Sequence, residues 1–298
     1  MTGTSMTGTS MTGTSMTGTS MTGASMTGAT TLRALHHGRA PGDPLVLPNP
    51  WDAATARVLA AAGFPALATP SAGIAASLGY RDGEIPADEM FAAVARIARA
   101  VDVPVTADIE GGYGLAPAEI VDRLLEAGAV GCNLEDGDRA ADALKDARRQ
   151  ADWLAEVRAA AGDRLVINAR VDVFVRGAGA RGRGAGGRAE STDPTDPTDP
   201  TDPTDPTDPE RLAEEAIDRG RRYVAAGADC VYPIFAPPRL LPRLAAGIGA
   251  PLNAMAKPDG PSVRELGESG ATRVTFGPGL FRRALAAVED IAEQLRPT

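Results

Sequence analysis

From Leu45 onward one pattern recurs: a short β-branched or apolar run, a Gly/Pro/Asp-rich stretch, an amphipathic helical stretch, and then a glycine. The strand candidates are Leu45–Leu47, Ala66–Thr69, Val103–Asp108, Val130–Leu134, Leu165–Arg170, Cys230–Ile234, Pro251–Met255 and Arg273–Phe276. Between them the helices read clearly. Pro117 stands at a first-turn position, Ile120, Val121, Leu124 and Leu125 form one apolar face, and Gly128 closes the helix. Four helix exits share a small residue followed by Gly: Ala62-Gly63, Ala127-Gly128, Ala226-Gly227 and Ser269-Gly270, where Gly supplies a left-handed cap. Eight β-then-α units predict an α/β fold of the (β/α)8 TIM-barrel type. The rival is a doubly wound open sheet, which usually carries a Gly-rich phosphate turn after its first strand. Here Leu47 is followed by Pro48-Asn49-Pro50-Trp51-Asp52, which favours the barrel.

Two low-complexity segments interrupt this pattern. Residues 1–30 are six five-residue units, four of them MTGTS, and residues 192–209 are six copies of Thr-Asp-Pro. The first holds too little apolar surface to offset chain entropy and is expected to be disordered. The second has Pro at every third position, which forbids helix and favours an extended, solvated chain. Together with the Gly/Arg-rich run before it, it forms an expected disordered insertion at about 176–209, after strand five. A lid and a neutral repeat expansion are both readings of that insertion. Without these pieces about 234 residues remain of 298, close to one barrel domain of roughly 250. The domain is therefore placed at 31–298.

Composition excludes several classes. Hydrophobic residues make up 43 % of the chain, enough to bury a core. No run of 18 apolar residues is present, so no membrane span is expected, and no basic-then-apolar signal peptide is read at the N-terminus. The net charge is −9, without a basic face to attract nucleic acid. Cys132 and Cys230 sit alone in apolar runs, which reads as buried, reduced thiols that pack in a cytoplasmic protein.

Barrel enzymes keep their chemistry at the C-terminal ends of the strands. Here those ends are acidic: Asp108-Ile109-Glu110, Glu135-Asp136 and Arg170-Val171-Asp172. Crowded carboxylates are costly unless a cation sits among them. The only histidines, His36 and His37, precede the first strand, so a Cys/His zinc site and a Ser-His-Asp triad are both disfavoured. Carboxylates with water suit Mg2+ or Mn2+. Asp108 and Glu110, two residues apart, are expected to point the same way, with Glu135 completing the cluster. A lone Asp at a strand end is more often a cap or turn former, and for Asp82 that reading stands level with function. Gly112, in the Gly-Gly-Tyr-Gly run, could be part of a flexible loop or could let a ligand approach the backbone. Arg170 could form a structural ion pair or bind a substrate carboxylate through its fork.

At these residues the chain resembles the isocitrate lyase / phosphoenolpyruvate mutase superfamily. Asp108-Ile109-Glu110-Gly111-Gly112-Tyr113-Gly114 is similar to its D-x-[DE]-x-G-Y-G metal motif, and Leu78-Gly79-Tyr80-Arg81-Asp82 to its L-G-x-x-D loop. The resemblance implies that Asp108 binds Mg2+ (or Mn2+) directly, while Glu110 and Glu135 hold it through water. It implies that Asp82 and Arg170 serve catalysis, and that Ser71, Ala72, Gly112, Arg170 and Asn253 bind a small carboxylate substrate. It also implies a homodimer or homotetramer with exchanged C-terminal helices, and a Mg2+-dependent lyase that cleaves a C–C bond in a 2-oxo or 2-hydroxy carboxylate through a pyruvate-enolate-type intermediate. Oxaloacetate decarboxylase-like and methylisocitrate lyase-like activities are both of this kind. The alternatives are a phosphonopyruvate-type P–C mutase or hydrolase, and an inactive carboxylate-binding barrel. The chain departs from the lyases' K-[KR]-C-G-H loop, carrying Asp138-Arg139-Ala140-Ala141-Asp142-Ala143-Leu144-Lys145 instead, and Val231-Tyr232-Pro233-Ile234-Phe235 stands where those lyases have a Glu. The mutases' Lys and Asn are replaced by Ala141 and Ala143.

Overall fold

The computed structural model describes Met1, residues 28–175 and residues 208–296. The expected disorder of the two low-complexity segments concerns residues that lie, for the most part, outside that set. Their ends correct the expected boundaries. Gly28–Thr30 open the helix α1 (Gly28–Leu35), because Ala29 and Leu32 are buried against the barrel. Asp208 and Pro209, the last two residues of the Thr-Asp-Pro run, start α7 (Pro209–Ala225). Asp208 accepts from the N–H groups of Glu210 and Arg211, and Pro209 fills the first turn, where no N–H is needed.

All eight predicted strands form: β1 (Leu45–Val46), β2 (Leu67–Ala68), β3 (Val105–Asp108), β4 (Gly131–Glu135), β5 (Val166–Val171), β6 (Cys230–Pro233), β7 (Asn253–Met255) and β8 (Arg273–Thr275). They pair in parallel as β2-β3-β4-β5-β6 and as β1-β8-β7. Two seams close the ring. Val231 bridges to Leu252, with its N–H on the Pro251 carbonyl at 2.9 Å, and the Ala68 N–H reaches the Pro48 carbonyl at 3.1 Å just past β1. The fold is a TIM-type barrel.

The outer helices are α2 (Ala53–Ala61), α4 (Ala87–Ala98), α5 (Pro117–Glu126), α6 (Ala147–Ala161), α7, α8 (Leu241–Ile248) and α9 (Val263–Glu268), with a short α3 (Ser71–Ser77) in the loop after β2 and a final α10 (Gly279–Gln294). The face predicted for α5 is the buried one, through Ile120, Val121 and Leu124. The four Gly exits all adopt positive φ: Gly63, Gly128, Gly227 and Gly270. Among the described residues, no helix is long and apolar enough to cross a membrane.

Helix α1, not anticipated from the sequence, closes the N-terminal end of the barrel. Leu32 packs with Leu45, Leu47, Ala66, Ala68 and Val166, and Arg33 is tied to Asp229 at 2.8 Å and to the Leu165 carbonyl at 2.9 Å. Above this plug the barrel interior is polar, where Val, Ile and Leu dominate in most such barrels. Asn133, Asn168 and Cys230 share one register across β4, β5 and β6. Asn168 Nδ2 donates to Asn133 Oδ1 at 2.6 Å, and the same oxygen accepts from Nη2 of the fully buried Arg273 at 3.4 Å. Cys132 and Cys230 are buried, and burial pushes both thiols up to about 12, as expected of packing cysteines.

His36 ends α1 with its Nδ1 at 2.8 Å from the Leu32 carbonyl. Burial, assisted by the charge of Arg273, lowers its pKa from 6.5 to about 4. Between those values the unfolded chain binds the extra proton and the folded chain refuses it. Stability is therefore whole above pH 6.5 and is lost as the pH falls towards 4, by at most about 3 kcal/mol from this group. His36→Gln should flatten the loss measured by urea unfolding between those two pH values. Parallel pH profiles for the two proteins would remove His36 as the cause.

Candidate active site

The strand ends meet in a cavity of about 390 Å3 whose wall includes Ser71, Asp82, Asp108, Glu135, Arg139 and Arg170. Asp108 is the last residue of β3. Its Oδ2 accepts from the Ser71 hydroxyl at 2.7 Å and from the Ser71 N–H at 3.3 Å, while its backbone N–H is held by Thr69 Oγ1. Its Oδ1 is buried and has no hydrogen-bond partner among the described residues. A buried carboxyl oxygen left in this way is expensive unless something outside the chain satisfies it.

Glu110 does not sit beside Asp108 by strand alternation, as the sequence suggested. The strand stops at Asp108, and Glu110 takes a left-handed backbone with φ 53°. This turn re-aims its carboxylate, which accepts from the Tyr113 hydroxyl at 3.2 Å. Glu110 is buried, and burial raises its pKa.

Glu135 ends β4, and its backbone carbonyl is held by Gln150 Nε2 at 3.2 Å. Burial raises its carboxyl to about 7, with the Arg170 guanidinium pulling the other way. Arg170, opposite it on β5, places Nη1 at 2.7 Å from Glu135 Oε2 and grips Asp172 with Nε at 2.7 Å and Nη2 at 2.9 Å. Against the cost of burial, Glu135 and Asp172 hold this guanidinium firmly charged. Among the described residues Arg170 is thus engaged as a structural ion pair would be, with two of its five N–H donors left over. Behind it, Asp136 has no exposed surface and accepts from Tyr223 at 2.7 Å, from Arg219 at 3.1 Å and from the Asp172 N–H at 2.8 Å, which pins β4 to β5 and α7.

Three expectations need correction or narrowing. Gly112 is away from the cavity wall. It has φ 86°, and a Cβ there would meet Ile120 at 2.7 Å and Trp153 at 3.2 Å, so its small size serves packing. Asn253 is fully buried below the cavity floor, with its Oδ1 on the Thr275 hydroxyl at 3.3 Å. Ser71 and Ala72 do line the cavity, but the Ser71 N–H is engaged by Asp108.

Arg139, which the sequence reading passed over, is the largest addition. It rises from a two-stranded ribbon, Gly137–Asp138 with Ala143–Leu144, that forms the loop after β4. Its guanidinium stands 3.3 Å from Asp82, 3.7 Å from Glu110 and 3.6 Å from Glu135. The signal available in the sequence was its spacing of four residues from Glu135.

Among the described residues, no three acid, His or Cys side chains converge as a ready-made metal cage. The donor chemistry nonetheless fits a hard divalent cation: oxygen ligands only, one of them an orphaned buried carboxylate oxygen on Asp108.

Comparison with known proteins places the family and the fold. The family model for phosphoenolpyruvate phosphomutase matches residues 32–296, and one for pentapeptide repeats matches residues 1–30. An uncharacterised protein of Mycobacterium tuberculosis is 31 % identical over 259 residues, covering 85 % of this chain and 86 % of its own length. A solved structure from Burkholderia cenocepacia, named provisionally as a phosphonomutase, is 35 % identical with a TM-score of 0.73, covering 90 % of this chain and 98 % of its own. At 22 % identity, oxaloacetate acetylhydrolase with the product oxalate (TM-score 0.71) and phosphonopyruvate hydrolase with oxalate and Mg2+ (TM-score 0.69) share the fold, each covering 91 % of this chain and 87 % of its own.

The double engagement of Arg170 makes a specific prediction. Arg170→Lys loses the fork and leaves Asp172 and Glu135 poorly satisfied, so unfolding should show a loss of roughly 3 kcal/mol. A variant with unchanged stability would show that the Arg170 contacts to Glu135 and Asp172 are dispensable.

Proposed function

The chain belongs to the phosphoenolpyruvate phosphomutase family, and from that premise we propose that it is a Mg2+-dependent carbon–carbon lyase acting on a small 2-oxo or 2-hydroxy carboxylate. The observation that carries this reading is Asp108 in the cavity wall, its Oδ1 buried with no hydrogen-bond partner among the described residues while Ser71 holds the other oxygen. Asp108 would hold the divalent ion directly, with Glu110 and Glu135 reached through water. When bound, the ion supplies Lewis-acid stabilisation of the charge that develops on the substrate's keto oxygen.

The chain's own groups supply the rest. The two free N–H donors of Arg170 suit one carboxylate of the substrate, as a guanidinium fork requires. The Glu135 and Asp172 contacts hold that fork in place, so little reorganisation is left for the reaction. On the other side, Tyr232, Ile234, Phe235 and Met255 give the cavity an apolar wall. Such a wall penalises a carboxylate and tolerates neutral CO2. Neither cysteine reaches the cavity, so no thiol acid serves a leaving group there. Loss of CO2 needs no such acid, which makes oxaloacetate decarboxylation the simplest activity consistent with the site. The Burkholderia neighbour favours a second reading, P–C bond cleavage in a phosphonopyruvate-like substrate.

For assembly, the proposal is a second copy of this chain. Phe281 anchors the first turn of α10 against Trp51, with ring centroids 5.3 Å apart. Beyond it α10 buries no residue, and Leu285, Val288, Ile291 and Leu295 are exposed. An apolar stripe of this length on a 16-residue helix suits exchange with the same helix of a partner.

Two measurements follow. Incubation with oxaloacetate, methylisocitrate, 2-methylmalates and phosphonopyruvate, with product identification, should yield pyruvate from oxaloacetate in the presence of Mg2+. Asp108→Ala should lower kcat by at least about 100-fold with the fold intact. Phosphate release from phosphonopyruvate alone would select the second reading, and binding without turnover would select an inactive barrel. By light scattering, the pair Leu285→Asp and Val288→Asp should convert an oligomer to a monomer. A wild-type chain that is already monomeric would end the assembly proposal.

A further inference from the structure

Arg139 is held among the carboxylates by the tip of the ribbon after β4 and by the loop after β2. Asp142 N–H closes the ribbon's tip onto the Arg139 carbonyl at 3.4 Å, with Asp142 in a left-handed backbone, and Asp138 Oδ1 accepts from the Ala141 N–H at 3.1 Å. From this tip Arg139 Nη1 donates to the Asp82 carbonyl at 3.0 Å, which ties the loop after β4 to the loop after β2. Gly83 makes room for it. With φ +84°, its added Cβ would lie 2.2 Å from that nitrogen.

The guanidinium serves Asp82, Glu110 and Glu135 together and leaves Asp108 out. Its three ion pairs, at 3.3, 3.7 and 3.6 Å, are longer than the roughly 2.7–2.9 Å of a good charge-assisted hydrogen bond. The side chain is 44 % exposed. Its hold on the carboxylates is looser than that of Arg170, which is 11 % exposed and gripped at 2.7 Å, and its shortest hydrogen bond among the described residues, 3.0 Å, goes to the Asp82 backbone carbonyl.

We propose that Arg139 is a displaceable internal cation. It neutralises Asp82, Glu110 and Glu135 while no divalent ion sits at Asp108, and it yields those carboxylates to the ion's water shell on loading. This rests on the reading of Asp108 as the metal ligand. A guanidinium and a divalent ion drawn to the same carboxylates compete for their oxygens, and their mutual repulsion at short range weakens the binding of the ion. Arg139 therefore lowers the divalent affinity of the ligand-free protein. On exchange only a half-exposed side chain moves, and the strands that carry Asp108 and Glu135 stay in place.

The test uses the full chain without substrate, with Mn2+ alone as the probe, followed by calorimetry and by loss of the free-Mn2+ paramagnetic signal. Arg139→Gln should bind Mn2+ about fivefold more tightly than wild type, the factor that corresponds to removing the competition of a partly exposed ion pair. Its metal-free form should melt lower than wild type, and Mn2+ should raise its Tm by more. Gly83→Ala keeps the charge but crowds the guanidinium away from Asp82, and it should shift affinity in the same direction. A purely structural Arg139 would give the opposite sign, with weaker Mn2+ binding in both variants. Weaker or unchanged affinity in both overturns the proposal. If Asp108→Ala binds Mn2+ as wild type does, the failure lies in the metal-ligand reading instead.

Discussion

Carboxylates can be crowded at a barrel mouth only if positive charge is brought to them from other parts of the chain. Glu135 has 2 % of its surface exposed, Glu110 has 5 % and Asp172 has 5 %. Burial alone pushes Glu110 and Glu135 towards the neutral acid. Arg170 answers from the neighbouring strand and Arg139 from the ribbon after β4, while Arg219 on α7 answers Asp136 one layer behind. Arg170 reaches Glu135 because the parallel register sets the two opposite each other on β4 and β5.

The same register builds a polar column below the mouth. Asn133, Asn168 and Arg273 occupy interior positions that apolar side chains fill in most barrels of this kind. Arg273 has no surface exposed, and burial lowers its pKa. Its positive charge lies within reach of Asp108 electrostatically. The floor of the site is therefore part of its electrostatics, and α1 closes the barrel beneath it through Leu32, Arg33 and His36. The family match spans the whole barrel, residues 32–296, and so takes in every strand end that carries these acids. The loop after β4 adds an arginine, Arg139, next to a short ribbon.

Much of this was legible in one dimension. Strand positions follow from apolar runs bounded by Gly and Pro, and the acidic strand ends follow from their spacing. Local backbone preference and burial periodicity act over a few residues, so they leave a trace in a single segment. The places of Asp108, Glu110 and Glu135 along the chain, at or just past strand ends, were visible for the same reason. Each ends a recognisable strand or turn beside it.

What the sequence could not decide depended on contacts across long separations. Glu110 was placed by alternation, yet its direction comes from a left-handed turn. Gly112 and Asn253 were read as ligand contacts, yet Ile120 and Trp153 claim the space at the first, and the barrel floor buries the second. Arg170 has its fork on Asp172, two residues on, a pairing that holds only because Asp136 fixes the Asp172 backbone from the next strand. Arg139 meets Asp82, 57 residues earlier, through the ribbon's tight tip and the missing Cβ of Gly83. The sequence by itself determined where strands, helices and acids lie, because those depend on short-range sterics and apolar spacing. Only the closed barrel decided which cation neutralises which acid, because Coulomb energy in a buried site depends on distances that closure alone sets.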